Sequence, residues 1–101
     1  MPTRFYFFST PSHGYLEVAK TDAEAVGFVP TGYSYESDSL LFLEEDCDAG
    51  TFLDMVEEKS LQKPQIDVDY VDWHYPNEVY SRVRLCSTPE GAASYDLRRE
   101  H

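Results

Sequence analysis

Residues 41–58 read LFLEEDCDAGTFLDMVEE, and the way this stretch divides decides the fold. Leu40 to Glu44 is a short apolar run with the character of a central strand. The spacing then changes. Ala49, Phe52, Leu53 and Val56 recur at i, i+3, i+4 and i+7, with Ser60 continuing the series, which predicts an amphipathic helix over about 46–61. Asp46 or Asp48 stands where an N-cap belongs, its carboxylate accepting orphan N–H groups, and the neighbouring acids favour the positive end of the helix dipole. Asp54, Glu57 and Glu58 fall on the solvent face, Lys59 and Lys63 close the end, and Pro64 stops the helix. Much of LEEDCD is therefore helix-start chemistry.

Outward from this junction the chain reads mostly as strands. Arg4 to Ser9 is aromatic, Thr10-Pro11-Ser12-His13-Gly14 supplies a turn, and Tyr15 to Lys20 completes a hairpin. Thr21 or Asp22 can cap a short helical turn that stops at Gly27, and Tyr33 to Ser39 reads as loop. Gln65 to Tyr75 alternates, with Ile66, Val68 and Tyr70 on one face and Asp67 and Asp69 on the other. After Tyr70 the pattern flips, so that Val71, Trp73 and Tyr75 share the aspartates' face, which predicts a bulge or bend near 70–72. Pro76-Asn77 is a turn, Val79 to Cys86 a further strand, and 92–101 a loose helical tail. The expected fold is one α+β domain over 1–101: an antiparallel sheet of about four or five strands with the 46–61 helix on one face.

Composition narrows the classes. At 42% hydrophobic and 15% aromatic residues, the chain has enough apolar surface to offset the entropy of ordering. No apolar run reaches the roughly 18–20 residues of a membrane span, nor the roughly 7–15 of a signal-peptide core, so a cytoplasmic location is expected. Cys47 and Cys86 are expected to be reduced and to pack as small apolar side chains. The charge is the outlier: 8 Lys+Arg against 19 Asp+Glu, net −11. Such a field repels nucleic acid and anionic membrane and attracts basic partners. Most of it lies between Glu44 and Glu78, where eleven acids face only Lys59 and Lys63.

No pattern specifies a reaction. Glu44, Glu45, Asp46, Cys47 and Asp48 are metal-ligand types that His13 and His74 could join. No CxxC, HExxH or calcium-loop spacing is present, and successive strand residues point to opposite faces, so four acids in a row do not converge on one ion. Cys47 gains from a helix dipole but loses more to the surrounding carboxylates, which disfavour a thiolate. His13 reads as a turn residue that hydrogen-bonds backbone, and His74 faces solvent or a partner. No catalytic residue, cofactor or metal is expected.

Ser12-His13-Gly14-Tyr15-Leu16-Glu17-Val18, followed by Leu43-Glu44-Glu45-Asp46-Cys47-Asp48-Ala49 and then Phe52-Leu53, resembles a family of small proteins carried by phages, prophages and plasmids. The likeness spans roughly residues 5 to 60; members often have proline after the valine, where this chain has Ala19. It implies a genomic setting and no mechanism. Small acidic proteins of that setting include anti-CRISPR and anti-restriction inhibitors, several resembling DNA in charge.

The expected function is thus a non-enzymatic interaction protein whose acidic face blocks a nucleic-acid-binding host protein. Asp54, Glu57 and Glu58 on the helix, with Asp67, Asp69 and Asp72 on the strand, would supply charge, and Trp73 and Tyr75 would anchor. Asp67 and Asp69 stand about 6.6 Å apart along a strand, a spacing similar to successive phosphates. The alternatives are a homodimeric assembly component in which the aromatics pair with a second copy, and a metal-dependent enzyme built on Glu44–Asp48.

Overall fold

The computed structural model describes residues 2–87, which form an α+β fold with a six-stranded sheet and two α-helices. The expected tail at 92–101 lies outside the described residues. β1 (Arg4–Ser9) and β2 (Gly14–Ala19) pair antiparallel as the predicted hairpin. The turn between them is held by Thr10: its Oγ1 accepts the His13 N–H at 2.9 Å, and its own N–H donates to the His13 carbonyl at 2.8 Å. Gly14 lets the Phe7 ring approach the backbone there, since a Cβ would stand 2.0 Å from that ring and force it to shift. α1 (Lys20–Val26) ends at Gly27, whose φ of 76° is the left-handed cap expected of glycine. No side chain caps its start, so neither Thr21 nor Asp22 plays that part.

β3 (Tyr35–Glu36), in the stretch expected to be loop, pairs antiparallel with β4 (Leu40–Glu44), which in turn pairs with β2. β4 runs into a π-helical turn, Glu45–Ala49, and then α2 (Gly50–Ser60). β5 (Gln65–Tyr70) lies parallel to β1, and β6 (Arg84–Leu85) pairs with β3, giving the order β5-β1-β2-β4-β3-β6. The expectation of a purely antiparallel sheet is corrected here. β4 and β5 run the same way because α2 carries the chain across the sheet between them, and such a crossover ends in a parallel strand. The expected strand 79–86 shrinks to two residues, since Pro76–Glu78 forms a 3-10 turn and Arg82 takes φ 60°.

Each sheet face has its own covering. On one, Phe5, Leu16, Val18, Leu41 and Leu43 pack with Ala23, Phe28, Phe52 and Val56 of the helical layer. Phe52 is fully buried, its ring edge-on to Phe5 at 5.3 Å and to Phe28 at 5.7 Å. Burying such a side chain contributes about 1.5–3 kcal/mol. The register puts Tyr6, Phe8, Tyr15, Glu17, Phe42 and Glu44 on the other face, with Asp67 and Asp69. Segment 71–80 folds over it: Trp73 packs 5.8 Å from Phe8 and 6.4 Å from Tyr15, and Tyr80 stacks on Phe42 at 5.2 Å. The pattern flip after Tyr70 is met by the second of the two expected devices, a bend at Asp72, with no bulge in the β1–β5 ladder. The strand ends at Tyr70, and the next aromatics close a second layer, rich in aromatic rings.

Candidate functional site

β2 and β4 pair Tyr15 with Glu44, so the stretches that begin at Ser12 and at Leu43 meet at one end of the sheet. His13 arrives from the hairpin turn, its Nδ1 3.9 Å from Glu44 Oε1. Glu44, only 8% exposed, caps the π-turn by accepting the Asp46 N–H at 2.9 Å. The N-cap is thus Glu44 and neither of the expected aspartates. A π-turn widens the coil by one residue, a device frequent at functional sites. Here it swings Asp46 back, so that His13, Glu44 and Asp46 each offer a ligand atom within 4.8 Å of the others. The sequence argument against convergence holds along a strand; β4 ends at Glu44, and beyond it the alternation no longer applies.

Asp48 does something else. It is 2% exposed, and its Oδ2 accepts the Thr31 N–H and hydroxyl, both at 2.9 Å, and the Ser34 hydroxyl at 2.5 Å. This clamp holds loop 31–34 against the helix start and sets Gly32 and Tyr33 as one wall of a cleft of about 350 Å³. Tyr15, Tyr35 and Tyr75 line other walls, with His13, Glu44 and Asp46 beside them. Tyr35 lies 5.8 Å from Tyr15 and 6.3 Å from Tyr75, and Tyr75 lies 6.0 Å from His13. Burial pushes the Tyr15 phenol well above its ordinary range, with Tyr35 and Glu44 adding to the effect.

Cys47 also borders the cleft. It is exposed, not packed into the strand-to-helix junction as expected. Desolvation raises its thiol, and its hydrogen bond to Glu44 and the charges of Glu44, Asp48 and Asp46 raise it further. That protonated thiol is a poor nucleophile. Cys86 is buried in the helical core, where desolvation pushes it up to about 12. His13 does not hold the turn through its ring, since Thr10 does that work, and His74 meets Ser12, Nδ1 to Oγ 2.6 Å.

The eight residues expected to form one acidic face do not come together. Asp54, Glu57 and Glu58 lie exposed on α2, around Leu61. Asp67 and Asp69 lie on the opposite face of the sheet, and Arg4 stands 3.3 Å from Asp67. Asp72 is exposed in the covering segment, and Trp73 is spent within the aromatic layer. Only Tyr75 reaches the cleft. Tyr15, Tyr33 and Tyr35 were missed as site residues. The signal was the pairing of SHGYL against LFLE, which aligns the two motifs once β2 and β4 are taken as neighbours.

Comparison of the chain with protein families, characterised proteins and solved structures finds no match to any of them. No helix among the described residues is long and apolar enough to cross a membrane. As ligands, His13, Glu44 and Asp46 suit a divalent ion in kind. Their donor atoms all lie within 4.8 Å of one another, inside the span that an ion with ligands at about 2.3–2.6 Å can bridge.

Proposed function

We propose that the protein is a non-enzymatic interaction protein whose acidic helical face occupies a basic, nucleic-acid-binding surface of another protein. The observation that carries this reading is the imbalance of charge on α2. The bases Arg4, Lys20, Arg82 and Arg84 are engaged with Asp67, Glu36 and Asp38. No ion pair reaches Asp54, Glu57 or Glu58 among the described residues. Beside them Leu61 is 88% exposed and held at φ 60°. A left-handed conformation costs a leucine about 1–2 kcal/mol, and glycine would take it freely. An exposed apolar side chain kept at that cost, within a rim of carboxylates, has the composition of an interface anchor. The resemblance of the two motifs to proteins of phages, prophages and plasmids suggests the kind of target, a host-defence protein of the class that anti-CRISPR and anti-restriction inhibitors block.

The test is a titration with an arginine-rich peptide at low and high salt. Binding carried by exposed carboxylates weakens steeply as the Debye length falls from about 10 Å at 0.1 M to about 3 Å at 1 M. An affinity indifferent to salt contradicts the reading.

One observation favours the homodimer instead. Among the described residues β5 is an edge strand whose Ile66, Val68 and Tyr70 are 37%, 46% and 84% exposed, and such an edge is a template for pairing. Trp73 would take no part, being packed on Phe8 and Tyr15. Light scattering of wild type and Val68→Lys separates the two readings: a dimer dissociated by the lysine supports pairing through β5, and a monomer throughout removes it.

A further inference from the structure

We propose that the cleft between the hairpin turn and the π-turn receives the guanidinium or ammonium head of one basic side chain of the partner. This deepens the interaction reading and rests on it. The first observation is Glu44. A carboxylate on a side chain nine-tenths buried ordinarily has a cationic partner or a metal, because removing a charge from water is costly. Glu44 accepts the Asp46 N–H and the Cys47 thiol, but no lysine or arginine of the described residues lies within 4.0 Å of it. Its nearest candidate is the His13 imidazole, at 3.9 Å.

The second observation is the wall. Tyr15, Tyr35 and Tyr75 line the same cleft, with successive ring centroids 5.8 and 6.3 Å apart. Aromatic rings around a carboxylate are the chemistry that recognises an organic cation, through the quadrupole of each ring and the charge of the acid. Exposed Asp46 adds a second carboxylate at the rim. Volume separates this occupant from a bare ion. About 350 Å³ falls in the range of sites for small organic groups and exceeds what one ion fills.

The experiment is an NMR titration of the protein with N-acetyl-arginine methylamide, which carries one positive charge, and with its uncharged citrulline counterpart. The expected result is saturable binding of the arginine compound, on the order of 1 mM, with shifts at His13, Tyr15 and Tyr75 and none from citrulline. Affinity should fall about tenfold in Glu44→Gln, which keeps an acceptor for the Asp46 N–H, and in Tyr75→Ala, which serves should the first variant not fold. Shifts that are absent, or unchanged in both variants, overturn the proposal. So does stoichiometric zinc binding that His13→Ala abolishes and that excludes the arginine compound, which would make the cleft a metal site. Loss of cleft binding alongside salt-sensitive binding of the arginine-rich peptide overturns this proposal alone. Cleft binding alongside salt-indifferent peptide binding supports it and removes the reading of the helical face.

Discussion

Ser34 Oγ stands 2.5 Å from Asp48 Oδ2 and also accepts the Glu44 N–H at 3.0 Å, so one buried hydroxyl joins the loop, the end of β4 and the start of the helix. Asp48 is the hub of this network, with Thr31 supplying two further donors. Removing it leaves three donors without their acceptor, one of them fully buried. Asp48→Ala should lose about 1–3 kcal/mol in urea unfolding, and Asp48→Asn, which retains one acceptor, clearly less. Equal stability of Asp48→Ala and wild type would mean that the loop does not depend on this clamp.

Leu61 gives a prediction in which stability and binding part ways. Leu61→Gly relieves the left-handed backbone, and stability should rise by up to about 1 kcal/mol, offset by the entropy glycine adds to the unfolded chain. Affinity for the arginine-rich peptide should fall at the same time. A thermal melt and one titration of the same sample read both.

Glu17 sits on the aromatic face with Phe42 and Tyr6 as cross-strand partners, and desolvation raises its carboxyl. The sign follows. A carboxyl raised in the folded state binds its proton more tightly there, so its contribution is most favourable below the unfolded value and is lost as pH rises through the folded value. Glu17→Gln should therefore stabilise the protein at pH 7, with the advantage disappearing at acid pH. Chemical unfolding of both proteins at pH 4 and pH 7 checks it; an advantage that grows at acid pH contradicts the burial of Glu17.

The two thiols should react in order. Cys47 is exposed but held protonated, so it should label with iodoacetamide more slowly than a free thiol at pH 7 and speed up at higher pH. Cys86, buried and pushed up to about 12, should label only with unfolding. Mass spectrometry of timed samples distinguishes the sites. Glu44→Gln removes one of the charges that restrain Cys47 and should accelerate it.

The α+β class, the hairpin, α2 and its buried Phe52 and Val56 were legible because each follows from local periodicity. So were the two faces of β5, since alternation fixes them regardless of neighbours. What was illegible is set by long-range pairing. Nothing local in QIDVDY says that it lies parallel to β1, and that placement sends Asp67 and Asp69 to the face opposite α2. Trp73 looked like an anchor for a partner because an aromatic run after a strand carries no mark of what it covers. The cleft was hidden for a related reason: His13 and Glu44 are 31 positions apart, and their meeting depends on β2 pairing with β4.

Two variants that remove equal charge decide which carboxylates meet the partner. Asp54→Asn/Glu57→Gln/Glu58→Gln strips the helical face, and Asp67→Asn/Asp69→Asn/Asp72→Asn strips the far side of the sheet. Affinity for the arginine-rich peptide at low salt should drop about five- to tenfold in the first and change little in the second. Equal losses in both would mean that the peptide reads only net charge, and a larger loss in the second would contradict the helical face as the binding surface.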